Sequence, residues 1–270
     1  MTHPARSRIA VAVLAPLLAL LAGCASVPPG PSPGPAPAHR HERIEPWPGA
    51  VLHQVWLDLT AAGWRLQVTA HESRGQTLPE MPAATVAAVA INASFFDREF
   101  TPRGHTVSDG LPWPKVLVPQ ASPLLACDRV QHCRIVFEPD AAAPPADGHT
   151  VVAGTPWLVR GGLARGRDDD KRCESLCART HPRTAVGLDA TGRRLLIVLA
   201  EGRRDGVPGV TLAQLAEFMR GQGVHDAINL DGGGSSALLI DGHSAMARPA
   251  NEPAQRRVAN GLLWRHEGRP

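Results

Sequence analysis

Apolar and polar residues alternate along much of the chain in a way that predicts strands. The runs VLHQVWLDL (51–59) and WRLQVTA (64–70) alternate on either side of the turn TAAG, which predicts a half-exposed hairpin. The runs VAAVAIN, LLIVLAE and AINLD are instead apolar on both faces, as in strands that are covered on both sides. Shorter runs at CRIVFE, PWLVRGG, RTAVGLD, SSALLIDG and VANGLLW predict further strands.

One segment has the spacing of a helix. Residues 211–223 (TLAQLAEFMRGQG) place four apolar side chains on one face, Thr211 and Gln214 have the spacing of a capping box, and a following glycine can end the helix. Because buried strands are predicted on either side, residues 195–231 are expected to form a strand, a helix and a strand. We therefore predict an α+β fold dominated by strands, with a mixed, partly barrel-like sheet and one parallel βαβ crossover.

The N-terminal 23 residues have the layout of an export signal. Two arginines precede the apolar run IAVAVLAPLLALLAG, which is short for a membrane span, so residues 1–23 are predicted to be a signal peptide. The run ends in LAGC, which resembles the lipoprotein box of bacteria and would make Cys24 the lipidated first residue. The alternative is an ordinary signal peptide followed by an incidental cysteine.

A spacer and then a single domain are predicted after the signal. Residues 24–44 include the proline-rich stretch PPGPSPGPAPA, which is expected to be extended. Residues 45–270 contain no internal repeat and no second linker of this kind. We expect an exported domain held by a lipid anchor on the periplasmic face of the cell envelope. Ala25, in place of aspartate, favours the outer membrane by resemblance to the usual sorting pattern.

Composition and charge narrow the class of protein. Hydrophobic residues make up 43% of the 270 residues, which supports a packed core, and a formal net charge of +3 is too small to indicate a nucleic-acid partner. In an exported protein the cysteines of CDRVQHC and CESLC are expected to form two local disulfides, Cys127–Cys133 and Cys173–Cys177. Zinc is the alternative, although neither spacing is that of a structural zinc knuckle.

Polar residues end the three runs that are apolar on both faces: Asn92, Glu201 and Asp231. If these strands are neighbours, their carboxyl ends meet at one edge of the sheet, where sites commonly form. Asn229 and Asp231 are two residues apart and so point to the same face of their strand. The sequence therefore predicts a cleft at this edge that contains an acid.

The three glycines after Asp231 allow two interpretations. An Asp-Gly hairpin turn explains the local sequence, but three consecutive glycines favour a loop whose backbone bends sharply or approaches a ligand. Glycine-rich nucleotide-binding motifs are excluded, because the predicted strand SSALLI follows instead of a helix. Two weaker alternatives are Ser235 as a nucleophile, although GGGSSA is not a nucleophile elbow, and a calcium site in RDDDKR.

Five segments of the chain belong together: INASFFD, VSDG, HPRTAVGLDATGRRLLIVLAEGRR, GVTLAQLAEFMRGQGVHDAINLDGGGSSALLIDG and RRVANGLLW. In this order, over roughly residues 85–264, they resemble the phosphodiester glycosidase family. The resemblance implies a carbohydrate phosphodiester substrate that is hydrolysed at the anomeric carbon. The products would be the free sugar and a phosphomonoester.

The implied reaction assigns roles to the candidate residues. The anomeric centre needs a carboxylate, for which Asp231 is the first candidate and Glu201 the second. The phosphate needs a guanidinium or N–H donors, which Arg183 and the amides of Gly232, Gly233 and Gly234 could supply. No cofactor is predicted and no metal site is assigned. Further candidates for contacts to the sugar or the phosphate, each of which could instead satisfy its own backbone, are Asn92, Asp109, Thr184, Ser235 and Ser236.

Two positions depart from the family pattern. NASFFD stands where the family often has NGGFFD, which adds side chains beside Asn92, and EGR stands where it commonly has DGR, which lengthens the acid. Both changes bear on the substrate more than on the reaction class. The predicted function is hydrolysis of a sugar 1-phosphodiester in a cell-envelope glycan. The alternative is an envelope lipoprotein of the same fold that binds glycan or phosphate without turnover.

Overall fold

Strands predominate in the fold, which a computed structural model describes for residues 37–118 and 122–268. In chain order these residues form β1 (His39–Ile44), β2 (Leu52–Asp58), β3 (Trp64–Val68), β4 (Val89–Asn92), β5 (Thr106–Ser108), β6 (Leu111–Pro112), β7 (Leu124–Cys127), β8 (Cys133–Val136), β9 (Thr150–Ala153), β10 (Trp157–Arg160), β11 (Leu163–Ala164), β12 (Arg183–Leu188), β13 (Arg194–Ala200), β14 (Asp226–Asn229), β15 (Leu238–Ile240), β16 (His243–Ser244) and β17 (Gly261–His266). The α-helices are α1 (Pro82–Thr85), α2 (Arg167–Asp170), α3 (Glu174–Cys177) and α4 (Leu212–Gly221). The predicted strand-dominated class is confirmed.

The largest sheet has seven strands in the order β1-β2-β13-β12-β14-β10-β11. All neighbouring strands in it are antiparallel, which differs from the predicted mixed sheet. Because β13 and β14 both pair antiparallel with β12, they run parallel to each other with β12 between them. The helix α4 connects these two strands. The predicted strand, helix and strand are therefore present, but the two strands are not neighbours.

Both faces of the seven-stranded sheet are covered. Successive residues of β13 point to opposite sides, so that Ile197 belongs to a core shared with β4 and β17, and Val198 to a core shared with α4. Met219 and the other apolar residues on the predicted face of α4 are buried, and the capping box between Thr211 and Gln214 is formed. This double burial explains why the strand is apolar throughout.

Two five-stranded sheets complete the fold, in the orders β16-β15-β4-β17-β3 and β6-β5-β9-β7-β8. The predicted hairpin over residues 51–70 is wrong, since β2 lies in the seven-stranded sheet and β3 pairs with β17. Trp64 of β3 stacks on the buried Trp264 of β17, with 5.6 Å between the ring centroids. Long-range packing of these large side chains overrides the local turn signal.

The folded domain begins before residue 45, the boundary predicted from composition. The strand β1 pairs with β2 along its whole length, which places residues 39–44 in the sheet and not in the linker. The predicted signal peptide, Cys24 and the rest of the proline-rich stretch to residue 36 lie outside the described residues. Within the described residues, no helix is both long and apolar enough to cross a bilayer.

Candidate active site

A cavity of about 230 Å³ lies where the loops next to β12, β13 and β14 meet. Three guanidinium groups and one carboxylate contribute to its wall, so the cavity carries a net positive charge that favours an anionic ligand. The residues that line it are Phe95, Leu176, His181, Arg183, Arg203, Asn229, Asp231, Gly232, Gly233 and Arg256.

Asp231 supplies the carboxylate of the cavity and lies two residues beyond β14. Its amide donates to the Ala93 carbonyl at 2.9 Å, and its Oδ1 accepts from the Gly232 amide at 3.0 Å. Burial raises the pKa of Asp231 to about 6, against the opposing effects of the Ser235 hydroxyl, the Gly232 amide and Arg256. Such a carboxylate is charged at neutral pH and more basic than an exposed one, which suits a general base.

Asn92 ends β4 and fixes the backbone at Asp231. Its Nδ2 donates to the Asp231 carbonyl at 2.5 Å, while its Oδ1 accepts from Thr184 Oγ1 at 2.9 Å and from the Ala237 amide at 3.1 Å. Asn92 and Thr184 are both fully buried. Asn92 and Asp231 thus meet, although β4 and β14 lie in different sheets and are not the neighbouring strands on which the prediction rested. However, Asn92 and Thr184 bond to the protein and do not line the cavity, so the structure does not support their predicted contact with substrate.

Arg183 begins β12 and is only 2% exposed. Its Nε donates to the Val210 carbonyl at 3.0 Å, and its Nη2 donates to the carbonyls of Leu176 at 2.6 Å and Arg179 at 2.8 Å. Burial lowers the pKa of Arg183 to about 10, an effect that the Asp170 carboxylate opposes. The guanidinium therefore stays charged at neutral pH and has a fixed orientation at the cavity.

His181 and Arg203 stand beside Arg183 in the wall of the cavity. Arg203 Nη2 lies 3.3 Å from His181 Nδ1, and His181 Nε2 lies 3.1 Å from the Ser175 carbonyl oxygen. Because a guanidinium only donates, Nδ1 is the acceptor and the proton of the neutral ring is on Nε2. Burial lowers the pKa of His181; the bond to Ser175 opposes this and the neighbouring arginines add to it. The imidazole is thus neutral at pH 7.

Two of the three loop glycines make room for charged groups of the protein itself. Gly233 has a φ of +60°, and a Cβ atom there would lie 3.1 Å from Arg203 Nη2. A Cβ atom on Gly234 would overlap Glu252, which forms an ion pair with Arg256. A side chain at either position would therefore displace a guanidinium from the cavity or its rim.

The sequence predicted that the glycine amides donate to the phosphate, but in the structure those of Gly232 and Gly233 donate to the protein. The Gly232 amide donates to Asp231 Oδ1, and the Gly233 amide donates to the Pro182 carbonyl at 2.8 Å. A Cβ atom on Gly232 would lie 2.7 Å from that same carbonyl. Since both amides are engaged, the cations of the cavity and not these amides are the groups available to an anion.

Three buried oxygens close to Asp231 have no hydrogen-bond partner among the described residues: Asn229 Oδ1, Ser235 Oγ and Ser236 Oγ. Each of these residues is 1% exposed, and Asn229 lines the cavity. The Ser235 hydroxyl moderates the pKa of Asp231 although it does not reach the geometry of a normal hydrogen bond. Buried polar atoms without partners are costly, so the Asn229 oxygen, which belongs to a residue of the cavity, is the one that a bound hydroxyl group would satisfy.

Glu201 is placed away from the residues that line the cavity. It follows β13, which β12 separates from β14 by two strand spacings, or roughly 10 Å. Its Oε1 lies 2.9 Å from His53 Nε2 and 3.1 Å from the Ala247 amide, and its Oε2 pairs with Arg204. Burial acts to raise the pKa of Glu201, but these three partners outweigh it and lower the pKa. Its predicted catalytic role is not supported, and the geometry indicates a structural one.

Asp109 occupies a hairpin turn between β5 and β6. Asp109 and Gly110 both have positive φ angles, +53° and +78°, as in a two-residue Asp-Gly turn. The Asp109 carboxylate lies 3.7 Å from Arg65 Nη1 and 3.5 Å from His149 Nε2. Since Asp109 is not among the residues of the cavity, its predicted contact with substrate is not supported.

Phe95, His181, Arg203 and Arg256 are among the residues of the cavity that received no role from the sequence. Each lies in a segment that carries the family resemblance, namely NASFF, HPRT, EGRR and RRVANG. The positive charge of Arg203 and Arg256 could have identified them from the sequence, because a departing phosphate needs more than one guanidinium.

Both predicted disulfides, Cys127–Cys133 and Cys173–Cys177, are formed, so zinc is not the role of these cysteines. In RDDDKR, Asp170 pairs with Arg165 at 2.8 Å. Residues 37–118 and 122–268 contain no group of three or more His, Cys, Asp or Glu side chains that could hold a metal ion.

A strand-rich fold whose cavity combines one basic carboxylate with several guanidiniums is typical of a hydrolase for anionic substrates. The chain belongs to the phosphodiester glycosidase family, whose family model matches residues 85–264. This result confirms the resemblance seen in the sequence.

Relatives with similar sequences are consistent with membership of this family. The chain is 35% identical over 102 residues to mouse N-acetylglucosamine-1-phosphodiester alpha-N-acetylglucosaminidase and 33% identical to the human protein; each match covers 34% of this chain and 19% of the relative. The chain thus spans about a fifth of these relatives.

Solved structures show the same fold. The catalytic domain of the zebrafish N-acetylglucosamine-1-phosphodiester alpha-N-acetylglucosaminidase superposes with a TM-score of 0.67 and 20% identity, covering 86% of this chain and 85% of that one. A hypothetical protein from Synechocystis gives a TM-score of 0.60 and 16% identity, over 84% of this chain and 61% of the other.

Replacement of Asp231 by asparagine should stabilise the protein at high pH. The pKa of about 6 lies above the usual value near 3.8, so ionisation of Asp231 lowers the stability of the folded state as pH rises through 6. In urea denaturation we expect Asp231→Asn to gain on the order of 2 kcal/mol at pH 8 and to lose this gain as pH falls towards 4. Asp109→Asn, which changes an exposed carboxyl group, is the control. A gain in stability that does not depend on pH would contradict the raised pKa of Asp231.

Proposed function

We propose that this domain hydrolyses the bond between the anomeric carbon of a sugar and a phosphodiester oxygen. The observation that carries the proposal is the pairing, in one cavity, of a carboxylate whose pKa is raised to about 6 with the guanidiniums of Arg183, Arg203 and Arg256. The reaction needs a carboxylate at the sugar and cations at the phosphate. Family membership supports the same reaction class.

Asp231 serves the anomeric carbon in this proposal. As the bond between carbon and phosphate oxygen breaks, its electron pair leaves with the phosphate, and the carboxylate stabilises the positive charge that develops on the sugar. Water then forms the new bond to carbon, and Asp231 accepts the proton that the water releases. A phosphate leaves more readily than an alcohol without being protonated, so a single carboxylate is sufficient.

Arg183 and Arg203 serve the phosphate. A diester carries one negative charge and the product monoester carries more, so fixed cations stabilise the transition state more than the substrate. Arg183 meets this need because backbone carbonyls hold its guanidinium. Phe95 offers a face for the sugar ring, and the free oxygen of Asn229 is available to its hydroxyl groups.

The names of the relatives suggest the first substrate to test. The mouse and human proteins are N-acetylglucosamine-1-phosphodiester alpha-N-acetylglucosaminidases. We infer that an N-acetylglucosamine 1-phosphodiester is the substrate class of this chain as well. We also propose that the natural substrate is a glycan of the cell envelope, because the N-terminal sequence has the features of an exported lipoprotein.

Hydrolysis in water labelled with oxygen-18 distinguishes this reaction from phosphodiester hydrolysis at phosphorus. Cleavage at the anomeric carbon places the label in the released sugar, whereas attack on phosphorus places it in the phosphate. Mass spectrometry of the phosphate product decides between them, because the anomeric oxygen of a free sugar also exchanges with water. Absence of turnover with retained binding of sugar phosphate would instead favour a binding protein of the same fold.

Asp231→Asn should abolish turnover, because the amide can neither accept a proton nor offset positive charge, while Ser235→Ala should only weaken it. We expect a loss of at least about 1,000-fold in kcat for the first and of about tenfold for the second. Asp109→Asn is the matched control and should retain wild-type kcat. Near-normal kcat in Asp231→Asn would exclude this residue as the catalytic carboxylate.

The pH dependence of the reaction should report the ionisation of Asp231. Because the charged form is required, kcat/KM should rise with pH and level off above the pKa of about 6. A profile that falls through this pKa would mean that the protonated acid is needed and would contradict the role as a base. The measurement is the initial rate of sugar release between pH 4.5 and pH 8.

We further propose that Cys24 anchors the exported protein through lipid. Expression of the full chain in a bacterium with lipoprotein processing, followed by membrane fractionation, tests this. We expect the wild type in the membrane fraction and Cys24→Ser in the soluble fraction. Cys173→Ser is the matched cysteine control and should remain with the membrane; equal partition of wild type and Cys24→Ser would contradict the anchor.

A further inference from the structure

A short loop closed by the Cys173–Cys177 disulfide lies behind the cationic side of the cavity. Its backbone carbonyls accept hydrogen bonds from side chains that line the cavity. Its Ser175 carbonyl lies 3.1 Å from His181 Nε2, and its Leu176 carbonyl accepts from Arg183 Nη2 at 2.6 Å. Two of the cavity's basic side chains are therefore oriented by main-chain oxygens from one four-residue turn.

The disulfide itself rests on a buried ion pair. Arg165 and Asp170 are 8% and 2% exposed, and Arg165 Nε donates to Asp170 Oδ1 at 2.8 Å. Arg165 Nη2 donates to the Asp169 carbonyl at 2.8 Å and lies 3.5 Å from Cys173 Sγ and 3.9 Å from Cys177 Sγ. The guanidinium thus fixes both sulfur atoms to the base of the loop.

The loop cannot hold this conformation by its helical turn alone. The helix α3 has only four residues, and isolated helices of that length are unstable in water. The other disulfide, Cys127–Cys133, joins residues that are already directly opposite each other in the antiparallel pair β7 and β8. The two bridges therefore differ in what they add: one closes a loop at the cavity, and the other reinforces a ladder of hydrogen bonds.

We propose that the Cys173–Cys177 disulfide is a positioning element for anion binding. It holds the carbonyls of Ser175 and Leu176 where His181 and Arg183 need them. Without the bridge the loop moves, so that Arg183, and Arg203 through the neutral His181, lose their fixed orientation towards the phosphate. This inference rests on the proposed function in naming phosphate as the ligand, and it adds a structural element to which that reaction assigns no role.

Binding of inorganic phosphate to paired variants of the full chain tests the proposal. The test variant is Cys173→Ser/Cys177→Ala, with alanine at the fully buried position, and the control is Cys127→Ala/Cys133→Ser. Both carry Cys24→Ser, so that each retains a single cysteine pair. By titration calorimetry at a temperature where both are folded, we expect Kd for phosphate to rise at least tenfold in the test variant and less than twofold in the control.

Reduction of the control variant supplies a second measurement in one folded protein. Dithiothreitol converts the Cys173–Cys177 bridge to two thiols and is itself oxidised to its cyclic disulfide. Phosphate affinity should fall on reduction and recover on reoxidation. This comparison decides the question if the test variant does not fold. Equal phosphate affinity with and without the bridge, or an equal loss of affinity in the test and control variants, would overturn the proposal.

The kinetics separate this inference from the proposed function. If sugar phosphodiesters are substrates, loss of the bridge should lower kcat at least as much as it raises KM, because the cations it orients stabilise the transition state more than the substrate. If the wild type hydrolyses none of them but the bridge still controls phosphate affinity, the proposed function fails and the positioning role stands. If turnover is normal and phosphate affinity does not depend on the bridge, the positioning role fails and the function stands.

Discussion

The buried guanidinium of Arg183 is the constraint on which the site depends. A cation that is 2% exposed is costly to desolvate, and three main-chain carbonyls offset that cost, two from the segment before β12 and one from the loop between β13 and α4. Those loops must therefore keep their positions for the charge to remain buried. The same arrangement leaves a fixed cation at the cavity, so stability of the loops and affinity for an anion have one physical origin.

Local patterns predicted the parts of the structure that depend on local physics. The cap and apolar face of α4 follow from spacing. Asn92 meets Asp231, as expected from polar residues that end buried strands, but across two sheets and not between neighbouring strands of one sheet. Glu201 satisfied the same rule and yet points elsewhere, because strand order places β12 between β13 and β14. Strand order is a long-range property that no single window of sequence contains. The hairpin expected from residues 51–70 was wrong for the same reason.

The glycine run correctly predicted a close approach to the backbone, but the group that makes the approach was not the one expected. Its excess of glycine suggested close approach of a ligand to the backbone. In the structure the close approach is made by Arg203 and by the ion pair of Glu252 with Arg256. The glycines thus bring the protein's own charges to the cavity, and the charges then meet the ligand. A sequence shows that space is required but not which group will occupy it.

Glu201 and His53 form a buried hydrogen-bonded pair, so a change at one position affects the other. The carboxylate of Glu201, which follows β13, reaches an imidazole on the neighbouring strand β2. Grafting only one of the two strands into a relative would remove the hydrogen bond between the buried carboxylate and the buried imidazole. Chimeras of this family should therefore exchange β2 together with β13 and the glutamate that follows it, and covariation between positions 53 and 201 is expected among relatives.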